Sequence, residues 1–364
     1  MKFVFASYVY TKEFNQPLPW LKRIGIYGGI LERLSIKNTV ISIEQIDYEG
    51  YFFHKGVYYH FKRFLKPSRY FPFYINRFIE KLQPDIVVIQ GLHSPLQVIQ
   101  LRLTLGKKVK IIAHHHAEKP FNGVKKNLQQ IADRCINAYL FASKPMGLDW
   151  VTKGNLASPE KIHEVMEVSS LFYPLDKTAA KLQTGASGDP VFLWVGRLNE
   201  NKDPLNVVRA FLKFAVTNPT AHFYMIYHTD ELIEDIRALL KSSGPNNIHL
   251  IGMLPHLELL YWYNSADFFI SGSYYEGSGT AVCEAMSCGC VPIVTNIFSF
   301  RMITDDGNCG ILYEAGNEAA LLSALEQTKY LDVNDKRNKS LAYFKSHLSF
   351  EAIAQKIQEI AATL

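Results

Sequence analysis

The stretch that decides the fold is SYYEGSGTAVCEAMSCGCVPIVT, residues 273–295. The apolar run ADFFISGS (266–273) leads into it and predicts a buried strand, and its last residues, VPIVT (291–295), predict another. Between the two, AVCEAMSC predicts a short helix ended by Gly289, because glycine readily adopts the left-handed conformation at a helix end. Strand, glycine-rich loop, helix and strand in this order indicate a parallel α/β sheet.

The same alternation extends over nearly the whole chain. Helical patterns at 20–35, 94–105 and 349–364 lie among short apolar runs, so the fold class is α/β, with doubly wound parallel sheets covered on both faces. The candidate strands are 2–9, 39–46, 85–90, 109–116 and 138–143 in the first half, and 191–196, 221–227, 247–252, 266–273 and 291–295 in the second.

The length indicates two domains. A chain of 364 residues exceeds the roughly 250–300 residues over which a single core grows. The pattern falters at LFYPLDKTAAKLQTGASGDP (171–190), which we interpret as a linker. We predict two Rossmann-like domains facing across a cleft: residues 1–172 with a C-terminal helix at 348–364, and residues 173–347.

Charge divides along the same line. Residues 1–170 contain 24 Lys and Arg against 13 Asp and Glu, whereas the remainder contains 15 against 21. In the basic half, HFKRFLKPSRYFPFYINRFIEK (60–81) alternates cations with aromatics, which suits an anionic membrane surface or acceptor, and equally a solvated helix face over core aromatics. A nucleic-acid-binding protein is the alternative from another class, but the acidic second half would repel phosphates.

Targeting and cysteine signals are sparse. No apolar run reaches the roughly 18–20 residues that cross a bilayer, and the N-terminus predicts a first strand instead of a signal peptide. Five cysteines without paired CxxC spacing favour reduced thiols over a zinc site. We therefore expect a cytoplasmic protein, with peripheral contact at the inner face of the plasma membrane.

The loop EGSGT at the end of the predicted strand 266–273 suits a phosphorylated ligand. Its glycines allow close approach of the backbone, and the free amides at the helix start attract an anion. Glu276 lies in the loop and Glu284 about one turn into the helix, where a carboxylate can accept hydrogen bonds from a vicinal diol. A phosphate site beside two hydroxyl-reading carboxylates describes a nucleotide sugar. A turn residue and a solvated helix position are the plainer alternatives. The loop and helix-start candidates are Gly277, Gly279, Thr280 and Ala281.

A second loop supplies positive charge. WVGRLNENKDP (194–204) follows another strand and contains Arg197 and Lys202. A forked guanidinium and a compact ammonium can neutralise a diphosphate and stabilise it as it departs.

Taken together, these motifs resemble the retaining glycosyltransferases of family 4, which have the GT-B fold. The resemblance covers roughly residues 190–330. It rests on Glu276 and Glu284 as the E-x7-E pair, the EAM-x-x-G run, the G-R…K pair at Arg197 and Lys202, GMLPHLEL (252–259) and DGNCGILYEAGN (306–317). It implies that Glu276 contacts the donor sugar, Glu284 holds the ribose, and Arg197 and Lys202 hold the diphosphate. Backbone atoms of Met253 and Leu254 would pack on the base.

The N-terminal half resembles the family more loosely. In IIAHHHAEKP (111–120), His116 aligns with a histidine that faces the donor sugar, although His114 and His115 remain alternatives, as do plain packing roles and a metal site. Strand alternation places His114 and His116 on one face and His115 on the other. The family's Gly-Gly pair is missing from the first loop, YTKEFNQPLPW (10–20), which we expect to shape the acceptor pocket instead.

The resemblance implies a hexosyltransferase-type enzyme that moves a sugar from a nucleoside diphosphate sugar to a sugar, polysaccharide or lipid-linked acceptor, with retention. Cell-surface polysaccharide, lipopolysaccharide or glycolipid synthesis is the expected setting. We name Glu276, His116, Arg197 and Lys202 as catalytic. No D-x-D motif occurs and fixed cations can do a metal's work, so we expect neither metal nor cofactor. A nucleotide-sugar 2-epimerase of the same fold is the alternative enzyme, and it would turn over donor without an acceptor.

Overall fold

A computed structural model describes residues 1–63, 71–244 and 247–364. The chain forms two compact units: unit 1 comprises Met1–Ser169 and Phe350–Leu364, and unit 2 comprises Ser170–Ser349. None of the helices in the described ranges is both long and apolar enough to span a bilayer.

Unit 1 is built on an eight-stranded sheet in the order β3-β4-β2-β1-β5-β6-β7-β8. Every pair is parallel except the antiparallel hairpin β3–β4. The inner strands are buried on both faces, as their continuous apolar sequences predict. The strands are β1 (Lys2–Ala6), β2 (Thr39–Glu44), β3 (Gly50–His54), β4 (Val57–Phe61), β5 (Ile86–Gln90), β6 (Lys110–His114), β7 (Ala138–Phe141) and β8 (Ile162–Glu164).

The helices of unit 1 are α1 (Pro17–Arg23), α2 (Gly25–Leu34), α3 (Phe73–Lys81), α4 (Pro95–Leu105), α5 (Gly123–Asp133), α6 (Lys144–Thr152) and the C-terminal α15 (Phe350–Thr363), with a 3₁₀ turn at Pro159–Lys161. The last helix packs on α2. Gly29 makes this contact possible, because a Cβ there would lie 2.7 Å from the ring of Phe350.

Unit 2 contains six parallel strands in the order β11-β10-β9-β12-β13-β14. This is the Rossmann order, which reverses between β9 and β12. The strands are β9 (Val191–Gly196), β10 (His222–Tyr227), β11 (Ile248–Gly252), β12 (Phe268–Ser271), β13 (Val291–Thr295) and β14 (Ile311–Tyr313).

The helices of unit 2 are α7 (Lys177–Thr184), α8 (Pro204–Thr217), α9 (Ile233–Ser242), α10 (Leu259–Ser265), α11 (Thr280–Ser287), α12 (Phe298–Ile303), α13 (Glu318–Gln327) and α14 (Val333–Tyr343). Short polar side chains begin several of them: Asp176, Asn317 and Asp332 each accept a hydrogen bond from a backbone N–H in the first turn. Tighter turns occupy Glu200–Lys202, His256–Glu258 and Thr328–Tyr330, and a π-helical turn spans Phe344–Leu348.

The α/β architecture is as predicted, but local expectations need correction. The helix predicted over 20–35 is broken at Ile24 into α1 and α2. The predicted linker 171–190 contains α7, which packs against α10 inside unit 2. The hairpin β3–β4 was missed, because its tip, Lys55–Gly56, carries none of the strong turn pairs such as Asn-Gly. Residues 64–70 of the basic, aromatic segment lie outside the described residues.

Candidate functional site

The candidate site of unit 2 lies where the strand order reverses. The loops that leave the carboxyl ends of β9 and β12 lie side by side and hydrogen-bond to each other. Tyr274 N donates to Asn201 O over 2.9 Å, and Asn201 Nδ2 donates to Tyr275 O over 2.9 Å. In open α/β sheets, ligands bind at this topological switch point.

Lys202 and Glu276 form an ion pair between these two loops, Nζ to Oε1. Their side chains are only 25% and 16% exposed, so the pair is shielded from full solvent screening. The turn that carries Lys202 is fixed by Asn199, whose Oδ1 accepts from Lys202 N over 3.2 Å. Arg197 is exposed on the same loop, and no carboxylate among the described residues pairs with it.

The α11 helix begins beside Glu276. Gly279 is its N-cap with φ 61°, a left-handed conformation that other residues adopt only with strain. A Cβ there would also lie 2.7 Å from the ring of Phe300, so both backbone and space require glycine. Gly277 and Ala281 are half-buried, as is Thr280. Val282 N already donates to Gly279 O over 3.0 Å, whereas the amides of Thr280 and Ala281 precede the first intrahelical hydrogen bond, which makes this end suitable for an anion.

Glu284 is buried in α11, only 4% exposed, so its interpretation as a solvated helix position is wrong. Tyr263 donates its hydroxyl to Oε2 over 3.0 Å, and Oε1 lies 2.6 Å from His256 Nε2. The hydrogen bond to Glu284 raises the pKa of His256 against the opposing effect of burial. A carboxylate has roughly four lone-pair sites, so each oxygen keeps a site for a ligand hydroxyl.

The loop after β11 reaches the same helix through His256. Met253 is 75% exposed and Leu254 is half-buried, and His256 follows them and contacts Glu284. Its ring also stacks on Phe172, with centroids 5.0 Å apart. Sequence reasoning named the segment GMLPHLEL but missed His256 as a partner of Glu284.

In unit 1, the three predicted histidines differ in burial: His114 is the last residue of β6, and His115 and His116 follow it. His114 and His115 are 3% and 1% exposed, whereas the side chain of His116 is 28% exposed. As strand alternation predicts, the rings of His114 and His116 are 5.3 Å apart, and His115 stacks on Phe141 at 4.6 Å on the other face. His116 is therefore the member of the triplet most open to a ligand.

Glu118 ties the loop after β6 to the loop after β5. Its Oε1 accepts from Leu92 N over 2.8 Å and lies 3.0 Å from His93 Nδ1, while Oε2 accepts from His116 N over 2.7 Å. Burial raises the pKa of Glu118, but the hydrogen bonds and the nearby His115 outweigh it and lower that pKa to about 2. The carboxylate is thus charged at neutral pH and holds both loops.

The ring of His116 is fixed at both nitrogens. Nδ1 lies 3.2 Å from Glu167 Oε2, and Nε2 lies 2.6 Å from the side-chain oxygen position of Gln90. Burial lowers the pKa of His116 to about 4, so the ring is neutral and has one N–H. The tautomer decides its partner: from Nδ1 the N–H donates to Glu167 Oε2, and from Nε2 it donates to Gln90 Oε1.

The metal alternative gains no support from the side chains around this triplet. Among residues 1–63, 71–244 and 247–364, no group of three or more His, Cys, Asp or Glu is arranged to hold an ion. Glu118, Glu167 and Gln90 were all missed from the sequence, although Glu118 stands two residues after His116.

Comparison with known proteins finds similarity to glycosyltransferases. Residues 176–343 match the family model described as glycosyl transferases group 1. The D-inositol 3-phosphate glycosyltransferase of Streptosporangium roseum is 25% identical over 51% of this chain and 44% of its own length. A GDP-mannose:cellobiosyl-diphosphopolyprenol alpha-mannosyltransferase from Xanthomonas campestris is 27% identical over 47% of each protein. The alignments thus span somewhat under half the length of these curated relatives.

Structural similarity extends over the whole chain. HepE from Anabaena, solved in complex with UDP and glucose, superposes with a TM-score of 0.73 over 100% of both chains, at 13% identity. This likeness confirms the predicted GT-B fold. The family model and the named relatives agree with the glycosyltransferase class expected from the residues, and the matched segment is the one that carries Arg197, Lys202, Glu276 and Glu284.

Proposed function

We propose that the protein is a retaining glycosyltransferase that moves a hexosyl group from a nucleoside diphosphate sugar to an acceptor hydroxyl. One observation carries the proposal: Lys202 and Glu276, from separate loops, meet at the switch point of unit 2 beside the start of α11. A cation, a carboxylate and free helix amides are the groups that a diphosphate and a sugar ring require together.

Each group has a distinct role in the proposed reaction. The bond between the anomeric carbon and the diphosphate oxygen breaks as the acceptor oxygen attacks, and the departing diphosphate takes the acceptor's proton. Arg197, Lys202 and the amides of α11 stabilise the charge on the leaving group. Glu276 accepts hydrogen bonds from the sugar hydroxyls, and its ion pair with Lys202 holds both side chains in place before substrate arrives.

The rest of the donor is placed along α11 and the β11 loop. Glu284 receives the ribose hydroxyls on its remaining lone pairs, and the backbone at Met253 and Leu254 packs on the base. We also propose that His116, held by Glu167 and Gln90, contacts the donor sugar. Arg197, Lys202 and the amides of α11 provide positive charge for the leaving group, so we propose a reaction without metal or cofactor.

The acceptor belongs to cell-surface polysaccharide, lipopolysaccharide or glycolipid synthesis in this proposal, with the protein cytoplasmic and in peripheral contact with an anionic membrane. The described part of the basic, aromatic segment supports that contact. Phe71 and Phe73 are 55% and 61% exposed and stack on each other at 6.1 Å, and Lys62 lies near the ring of Phe78. Sedimentation with phosphatidylglycerol vesicles, lost in Phe71→Ser/Phe73→Ser, tests it, and undiminished sedimentation contradicts it.

A panel of UDP-, GDP- and ADP-sugars tests the main proposal. One of them should raise the melting temperature, since ligand at about 100 times Kd stabilises the folded state by about 2.7 kcal/mol. The product formed with an acceptor should keep the anomeric configuration of the donor, as read from NMR coupling constants. Failure of every nucleotide sugar to bind, or epimerised donor without acceptor, would overturn the assignment.

A further inference from the structure

Unit 1 contains a cavity of about 310 Å³ at its own switch point. The strand order reverses between β1 and β5, and the cavity is lined by residues at the ends of both strands, among them Ala6 and Gln90. His116 lines one side and Trp20 of α1 lines another. The volume is at the lower end of small-ligand pockets, roughly 300–1,000 Å³, and therefore suits one ring instead of a chain of several.

The polar lining of this cavity combines two carboxylates, Glu44 and Glu118, with the imidazoles of His93 and His116. Among the described residues that line it there is neither lysine nor arginine. Glu44 is held in place, with Oε2 accepting from Trp20 Nε1 over 3.0 Å and Oε1 accepting from Ser42 Oγ over 2.6 Å. Each oxygen keeps a lone pair, so the carboxylate can still accept from a ligand hydroxyl.

Trp20 adds an aromatic wall. Its ring packs edge-on against Phe14, with centroids 5.3 Å apart, and its indole N–H is committed to Glu44. An indole beside a fixed carboxylate combines apolar area with hydroxyl recognition, which suits a sugar ring.

We propose that this cavity receives the acceptor as a single uncharged, hydroxyl-rich ring, and that Glu44 selects against acceptors whose phosphate or carboxylate would enter it. The inference rests on the proposed function, because it names the acceptor class of that same reaction. An anionic group in the cavity would lie near two carboxylates with no fixed cation to neutralise it.

The indole signal of Trp20 gives a direct test that needs no turnover. The chain has four tryptophans, so its indole N–H resonances are few, and Trp20→Phe assigns the signal of interest. We expect uncharged methyl hexosides to shift that signal. The corresponding hexose 6-phosphates and methyl hexuronides should bind with an affinity at least about tenfold lower, as read from titration of the same signal. Glu44→Gln keeps the shape and an acceptor oxygen. It should bring the ratio of the affinities for uncharged and anionic sugars toward one.

Glu80→Gln is the matched control, since Glu80 is an exposed acid of unit 1 that pairs with Arg77 and does not line the cavity. It should leave the ratio unchanged. Nucleotide-sugar binding, followed by melting temperature in each variant, separates the two proposals. If no nucleotide sugar binds wild type, the proposed function fails. If a nucleotide sugar binds but no hexoside shifts the Trp20 signal, or Glu44→Gln leaves the ratio unchanged, the cavity inference fails.

Discussion

The two switch points of this chain share a reversal of strand order and differ in the side chains that surround them. In unit 2 the loops carry Arg197 and Lys202 beside the start of a helix, whereas the cavity of unit 1 is lined by Glu44, Glu118 and the ring of Trp20. Strand order fixes where a ligand binds in each unit. The loops differ in their charged side chains, and we therefore propose a diphosphate as the ligand of one unit and an uncharged ring as the ligand of the other.

The largest effect is expected when the cation is removed from the switch point of unit 2. Lys202→Met should lower kcat by about 10²–10³, because a fixed group that stabilises developing charge is worth roughly 3–4 kcal/mol. Steady-state transfer assays with the donor found by the panel measure it. Lys213→Met is the control. Lys213 lies on the exposed side of α8 and, like Lys202, pairs with a carboxylate, that of Glu318. Equal activity in the two variants would remove Lys202 from the mechanism.

The next effect concerns stability at the switch point of unit 1. Glu118 has a folded-state pKa of about 2 against an ordinary 4.5, which corresponds to a contribution of about 3 kcal/mol to the free energy of unfolding. This contribution is complete above pH 4.5 and is lost as the pH falls toward 2. Glu118→Gln should lower the free energy of unfolding by about that amount near neutral pH, and by progressively less in acid, as urea titrations at several pH values would show. Glu80→Gln should change it by under about 0.5 kcal/mol. A pH-independent difference would contradict the ionised clamp.

A smaller effect follows from the buried acid of unit 2. Tyr263→Phe removes the hydroxyl that donates to Glu284 Oε2 and leaves that oxygen without this donor. The loss should be about 1–3 kcal/mol in the free energy of unfolding. Tyr330→Phe, at a side chain 88% exposed, should stay within about 0.5 kcal/mol of wild type. If Tyr263→Phe and Tyr330→Phe have the same free energy of unfolding, the hydroxyl of Tyr263 does not support Glu284.

The smallest effect is a titration. Glu284 raises the pKa of His256, so the stabilisation from this pair is full below the unfolded-state value of 6.5 and declines as pH rises through the folded-state value. The side chain of His256 is 56% exposed, which keeps the contribution to stability small. NMR titration of its ring protons should give a pKa that falls in Glu284→Gln, while the other histidines are unaffected. An unchanged value would show that the hydrogen bond is absent in solution.

Sequence reasoning succeeded where the signal is local and periodic. All ten candidate strands are present, most of them shorter by one to four residues, because apolar runs extend past the last ladder hydrogen bond. The proximity of Lys202 and Glu276 followed from placing both loops at the carboxyl edge of one sheet, although their ion pair was not predicted. Side-chain partners across the fold were not accessible in the same way. The spacing of His256 and Glu284 in the sequence does not show that a turn and a helix bring them within hydrogen-bond distance. Likewise, the spacing of His116 and Glu167 does not show that two strand ends bring them together.

The division of the chain also sets an order of assembly. Unit 2 is an insertion, complete at Ser349, whereas unit 1 regains its last element only with Phe350–Leu364. Until that segment has left the ribosome, α15 cannot pack on α2 at Gly29. Residues 1–169 of unit 1 are therefore synthesised before unit 2 and residues 350–364 after it, so the sheet of unit 2 can be complete while unit 1 still lacks its last helix.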